Sequence, residues 1–312
     1  MTLANQKLAV LIDADNASYR KIPLILQEVA KYGIASVKKV YGDWSKENLG
    51  SWREVLLPHA ITPVQQFAYT NGKDATDMVM IIDAMDLLYS KSLDGFCLVT
   101  SDSDFTPLAS RIRESGLMVY GFGEQNKTPQ AFISACDKFI YVENLEKIEK
   151  SDSSQQISTS SLVEIDAQII QLIHKAIKDT ADEGGWSNLA DLGKHLVVLM
   201  PDFDTRTYGR SKLSGFLQKI PTLDIDERGT QKFVRKKPSF SPFLGVVQDT
   251  IEKYFEPNQW INCSKLAEKI NQDYPSIDVQ QYGCANLLLA IDKINSKYFE
   301  FDSLRSNIRL LK

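Results

Sequence analysis

The chain has 312 residues, of which 43% are hydrophobic and 24% charged, an ordinary globular composition with length for two or three domains. A net charge of −4 excludes a surface coated throughout for nucleic acid, so any such contact must be local and salt-sensitive. The apolar run near the amino terminus is stopped by Asp13, too soon for a signal peptide, no membrane segment is indicated, and Cys97, Cys136, Cys263 and Cys284 lack metal-ligand spacing, as expected of reduced thiols in a cytoplasmic protein.

From residue 7 to 145, apolar runs alternate with helically spaced segments. Strands are predicted near residues 8–13, 36–41, 62–68, 96–100, 118–122 and 139–142, with helical spacing between them, as in Leu24, Ile25, Val29 and in Leu108, Ala109, Ile112. This alternation predicts an α/β domain over residues 1–145 with a doubly wound, mainly parallel sheet. Gly121-Phe122-Gly123 is too short for a dinucleotide fingerprint and no Walker-type loop occurs, so no nucleotide cofactor is indicated.

Two of the strands run into acidic clusters. Leu8-Ala9-Val10-Leu11-Ile12 precedes Asp13-Ala14-Asp15-Asn16, and Gly95-Phe96-Cys97-Leu98-Val99 precedes Thr100-Ser101-Asp102-Ser103-Asp104. Both fall at the carboxyl end of predicted buried strands, where the loops of an open sheet diverge and leave a crevice. Asp77 adds a third contribution from the first turn of the helix patterned by Met78, Ile81, Ile82, Met85 and Leu88, where the helix dipole favours its charge. Asp83, six residues on and about 240° around that helix, faces elsewhere.

Facing carboxylates repel unless protons or a cation intervene. Oxygen donors alone suit Mg2+ or Mn2+ rather than zinc. The plain alternative is local capping: Asp102 or Asp104 for the helix at 105–114, and Asp15 and Asn16 for the turn before the helix that begins near Ile22. Ser101 and Ser103 orient water at such a site or simply close the turn. Lys73 is a candidate phosphate contact or a solvated loop lysine.

Residues 146–163 open with EKIEKSDSSQQISTSS, polar and without apolar period, which predicts a flexible linker. Beyond it lies a repeat: Trp186, Asn188, Leu192, Pro201, Asp204, Tyr208, Gly209 and Leu213 recur 74 positions on as Trp260, Asn262, Leu266, Pro275, Asp278, Tyr282, Gly283 and Leu287. Two copies of one small domain are predicted, at 164–238 and 239–312. Each has three helices and β-like tails at 223–234 and 298–310, the pattern of a winged helix-turn-helix. The shared tryptophans and tyrosines read as core aromatics. Cations set the copies apart: Arg206, Arg210 and Lys212 near the third helix and Arg228, Lys232, Arg235, Lys236 and Lys237 on the wing form a basic patch in the first copy, against Gln280, Cys284 and Asn286 in the second. On charge, the first copy is the better RNA binder and the second a candidate for protein contact or dimerisation.

The run Leu11-Ile12-Asp13-Ala14-Asp15-Asn16, followed by Asp74-Ala75-Thr76-Asp77, Val99-Thr100-Ser101-Asp102-Ser103-Asp104-Phe105 and Gly121-Phe122-Gly123, resembles an NYN domain of the PIN-like nuclease superfamily. That resemblance implies a Mg2+- or Mn2+-dependent ribonuclease, with Asp13, Asp77, Asp102 and Asp104 as the metal-holding catalytic acids and Asn16 and Asp15 as accessory neighbours. The Trp turn, Pro-x-x-Asp and Tyr-Gly pattern resembles the LOTUS, or OST-HTH, domain. It implies RNA partners, structured or guanine-rich among them, and protein partners or homodimers. A haloacid dehalogenase phosphatase also carries Asp-x-Asp after its first strand, but Asn16-Ala17 follows here and winged helices do not suit it. The alternative is a PIN-like fold serving as a non-catalytic RNA-binding or protein-recruiting adaptor.

Overall fold

The computed structural model describes residues 6–67, 75–149, 164–237, 241–282, 284–294 and 298–311. In the amino-terminal half the elements are β1 (Lys7–Asp13), α1 (Ile22–Val29), β2 (Ile34–Gly42), α2 (Arg53–Leu56), β3 (Thr62–Gln65), α3 (Ala75–Tyr89), β4 (Gly95–Val99), α4 (Thr106–Glu114), β5 (Met118–Gly123), α5 (Gln130–Ala135), β6 (Lys138–Tyr141) and α6 (Val142–Glu149). The six strands form one parallel sheet in the order β3-β2-β1-β4-β5-β6. The strand order reverses between β1 and β4, and the crevice of an open α/β sheet forms at such a switch.

Alternation along β1 and β4 decides what each face receives. Leu8, Val10, Ile12, Cys97 and Val99 pack with α1 and α6, while Ala9, Leu11, Phe96 and Leu98 pack with α3, α4 and α5. Asp13 and Thr100 continue the second series one step past the last paired residues, Ile12 and Val99. The carboxylate is thereby sent to the face on which α3 and α4 begin.

Two predicted boundaries move. Strand β3 ends at Gln65, before a predicted end at Ala68 that lies outside the described residues. Helix α6 runs to Glu149, so the first four residues of the predicted linker are helical, because Val142 and Leu145 give that segment a buried side. Residues 150–163 lie outside the described residues.

The carboxyl-terminal half holds α7 (Ala167–Thr180), β7 (Ser187–Asn188), α8 (Leu189–Leu199), α9 (Leu213–Leu217), β8 (Leu223–Arg228) and β9 (Gln231–Lys236), then α10 (Ser241–Tyr254), β10 (Ile261–Asn262), α11 (Cys263–Asp273), α12 (Leu287–Asp292), β11 (Phe299–Phe301) and β12 (Asn307–Leu310). Each set surrounds its own apolar cluster and carries a three-stranded antiparallel sheet, β7-β9-β8 or β10-β12-β11. The repeat's polar identities are caps: Asn188 and Asn262 accept from the amides of Ala190 and Ser264, and Asp204 and Asp278 from those of Arg206 and Gln280. Among the described residues no helix is long and apolar enough to cross a membrane.

The shared tyrosines sit where expected, Tyr208 buried and Tyr282 packed against the second core. The tryptophans do not. Trp260 is 42% exposed with Arg309 over its ring at 4.6 Å, and Trp186 carries Arg235 at 4.5 Å and Arg228 at 5.0 Å. Each flanks the short first strand of its sheet, where a guanidinium from the last strand covers it by cation–π attraction.

A candidate acidic site at the sheet edge

Asp13 is 1% exposed and fully bonded. Its Oδ1 accepts from the amides of Asp15 (3.0 Å) and Asn16 (3.3 Å), and its Oδ2 from Asn16 Nδ2 (2.6 Å) and Thr100 Oγ1 (3.0 Å). Burial pushes its carboxyl above the usual range, opposed by the Asn16, Thr100 and Asp15 donors. Thr100, absent from the sequence-based candidates, joins the two strand ends: it donates to Asp13 and accepts from the Asp102 amide at 3.1 Å. Its place one step past the β4 apolar run was the available signal.

The other acids lie on neighbouring segments, ahead of α4, in the first turn of α3 and in the turn after β1. Asp102 is half-buried, and its Oδ1 accepts from the Asp104 amide at 2.9 Å, so it does cap the short 3-10 turn ahead of α4. Asp104 is exposed, and its carboxylate accepts no hydrogen bond among the described residues. Asp77 lies half-buried in the first turn of α3. Asp15 is exposed, 3.5 Å from Lys46 Nζ. Ser101 is buried and accepts from the Glu124 amide at 2.9 Å, tying the ends of β4 and β5, whereas Ser103 is exposed. Lys73 lies outside the described residues. Asp83 is engaged by Lys39 (2.6 Å) and Tyr41 (2.9 Å).

In kind, these donors fit a hard divalent cation, all being carboxylate oxygens. In arrangement, no three ligating groups gather among the described residues, and both Asp13 oxygens are occupied by protein donors. Beside the acids, on the α1 side of the sheet edge, runs a cleft lined by Asn16, Ser18, Lys21, Ile25, Phe122 and Glu124. Asn16 belongs to both, bonding Asp13 while facing the cleft.

The basic candidates divide into two groups. On the wing, Arg228 pairs with Asp226 (2.8 Å), Lys232 with Glu227 (2.5 Å) and Arg235 with Asp224 (3.3 Å), so these three cations are neutralised by their own hairpin. Arg210, Lys212, Lys236 and Lys237 are exposed and form no ion pair among the described residues. Arg206, expected to face phosphate, is instead held between Asp204 and Glu28 of α1 with its side chain 12% exposed, because the first winged-helix domain packs on the sheet domain there.

A family model of the NYN domain matches residues 7–146, and one of the OST-HTH/LOTUS domain matches residues 160–235 and 240–295. Comparison with curated proteins finds no match. Among solved structures, a protein of unknown function from Vibrio parahaemolyticus is 19% identical, covering 45% of this chain and 94% of its own at a TM-score of 0.38. An uncharacterized protein of Nitrosomonas europaea is 30% identical over 28% of this chain and 90% of its own, with a TM-score of 0.23. Residues 7–146 are thus an NYN domain, of the PIN-like nuclease superfamily, and OST-HTH/LOTUS domains follow it, an arrangement that supports a nuclease or RNA-binding role.

Proposed function

We propose that this protein hydrolyses RNA phosphodiester bonds with Mg2+ or Mn2+ held by Asp13, Asp77, Asp102 and Asp104, while its LOTUS domains select the RNA. The observation that carries this reading is the link from Asp13 to Thr100 across the β1–β4 switch, on the face where Asp77 opens α3 and Asp102 and Asp104 precede α4. The chemistry such a cation supplies is neutralisation of phosphate charge and activation of water for in-line attack. Asp13 is kept in place by four donors, of which Asn16 also borders the cleft; rotation of Asn16 toward substrate opens an oxygen of Asp13. Asp104 is exposed and its carboxylate accepts no hydrogen bond among the described residues, so it can meet a ligand without breaking one of those contacts. The four buried thiols fit a reducing cytoplasm.

A second reading has its own support: with both oxygens satisfied, Asp13 does structural work in a non-catalytic RNA-binding adaptor. Incubation of end-labelled structured and single-stranded RNA with the protein separates the two. Cutting in Mn2+ that stops with chelator and in Asp102→Asn/Asp104→Asn supports the nuclease; RNA retained without cutting in any of these conditions supports the adaptor.

A further inference from the structure

Among the described residues, the segment 201–207 of the first LOTUS domain, a turn and the start of a 3-10 helix, meets the sheet domain and touches three elements at once. The Phe139 amide on the edge strand β6 donates to the Pro201 carbonyl at 2.9 Å, giving a partner to a sheet edge that would otherwise be open. Tyr141 Oη donates to Asp202 Oδ2 at 2.6 Å, and Asn144 Nδ2 on α6 donates to Thr207 Oγ1 at 2.9 Å. Arg206 is bidentate on Glu28 of α1, at 3.0 and 3.2 Å, while its Nε bonds Asp204. Glu28 is 4% exposed and also accepts from Lys31 and Tyr32. A buried charge with so many donors marks a specified contact, since either ion alone would be stranded.

The 74-residue repeat supplies an internal control. In the second domain Asp202, Arg206 and Thr207 are replaced by Ser276, Gln280 and Gln281, although the cap Asp204 persists as Asp278. The copies therefore differ at side chains that reach the sheet domain and agree at the one that shapes the loop itself.

The docked elements are also the walls of the cleft. Lys21, just ahead of α1, and Ile25 on it line the cleft and Glu28 follows one turn on; on α6, Val142 lines it and Asn144 lies two residues on; and Lys21 pairs with Glu146 of α6. We propose that the first LOTUS domain is a fixed part of the catalytic unit: docked through Asp202, Arg206 and Thr207, it braces α1 and α6 so that the cleft beside the acids keeps its shape for an RNA strand. The three are positioning residues, and the strand as occupant rests on the ribonuclease reading. The second domain lacks all three side chains at the equivalent positions.

The test gives the first domain the second domain's residues in the full chain, Asp202→Ser/Arg206→Gln/Thr207→Gln. The second domain folds with those residues, and adding Glu28→Gln removes the charge left behind should the triple variant misfold. Hydrogen exchange is expected to rise about tenfold or more in residues 22–29 and 142–149 and to stay unchanged in 263–273. RNA turnover per folded molecule falls by a similar factor while RNA affinity is retained, with the folded fraction read by circular dichroism so that a loss of folded protein is separated from a loss of bracing. Unchanged exchange in both helices overturns the docking, and faster exchange with wild-type turnover overturns the bracing. A wild-type chain that cuts no RNA refutes the ribonuclease reading alone, because exchange is read without substrate and still decides the brace.

Discussion

In the first LOTUS domain Tyr208 packs against Phe216 of α9 at 5.0 Å; in the second, Tyr282 packs against Phe243 of α10 at 5.6 Å. The positions equivalent to these phenylalanines are Ala290 and Ile169, so one large side chain has changed helices between copies while the Tyr stays. Cores tolerate such exchanges when total volume is kept. The row across each wing sheet is kept as well: Trp186, Arg235 and Asp224 in one, Trp260, Arg309 and Glu300 in the other. What is not kept is the loop that docks. Divergence in the core was compensated within each domain, whereas the loop differs at the side chains by which the first copy reaches the sheet domain.

The largest effect that would sharpen this comparison is in the cores. Phe216→Ala, at a fully buried site, should destabilise the first domain by about 3–5 kcal/mol, and adding Ile169→Phe, the second domain's solution, should recover a good part of it. Calorimetry of the full chain measures both; a double variant no better than the single one breaks the compensation argument. Next, Arg206→Gln should cost about 3 kcal/mol in the docked unit, because Glu28 is left buried without its guanidinium, while Gln280→Arg should stay within about 0.5 kcal/mol. Equal effects at the two positions would mean that the loops are used alike.

Acid should separate the copies too. Burial alone would raise the Glu28 carboxyl, but the Arg206 and Lys31 hydrogen bonds overcome it and hold the group at about 2, against an ordinary value of 4.5. A carboxyl depressed in the folded state contributes its stabilisation fully above the unfolded value and loses it as pH falls through the folded one. Docking should therefore hold to about pH 4.5 and weaken progressively toward about pH 2, read as exchange in residues 22–29. In Glu28→Gln that acid-dependent step should vanish. The smallest effect is expected on the wings: Trp260→Leu should cost about 0.5–1 kcal/mol, the range of an exposed cation–π contact, and Trp186→Leu somewhat more because two guanidinium groups cover it.

The sheet domain was readable because its central strands are buried on both faces and so appear as unbroken apolar runs, and because its acids follow those runs directly. The caps Asn188 and Asp204 were visible as repeated identities but not as caps, since an identity does not say which amide a side chain meets. Trp186 and Trp260 were misread for the same reason: a repeated aromatic looks alike in a core and under an arginine. Arg206 could not be assigned from charge, because its partner Glu28 lies 178 residues away and belongs to another domain. The helical start of the predicted linker was hidden by Glu146, Lys147 and Glu149, which outweigh the few apolar residues that anchor α6.

The most direct measurement of the central claim is single-turnover cleavage of end-labelled RNA in Mn2+ by the wild type and by Asp13→Asn, with RNA affinity measured on both proteins. Asn in place of Asp13 keeps the size of the side chain and removes its charge. The account predicts metal-dependent cutting by the wild type, loss of cutting in the variant, and equal affinity. Cutting that survives in Asp13→Asn, or a wild type that binds RNA and never cuts it, would contradict it.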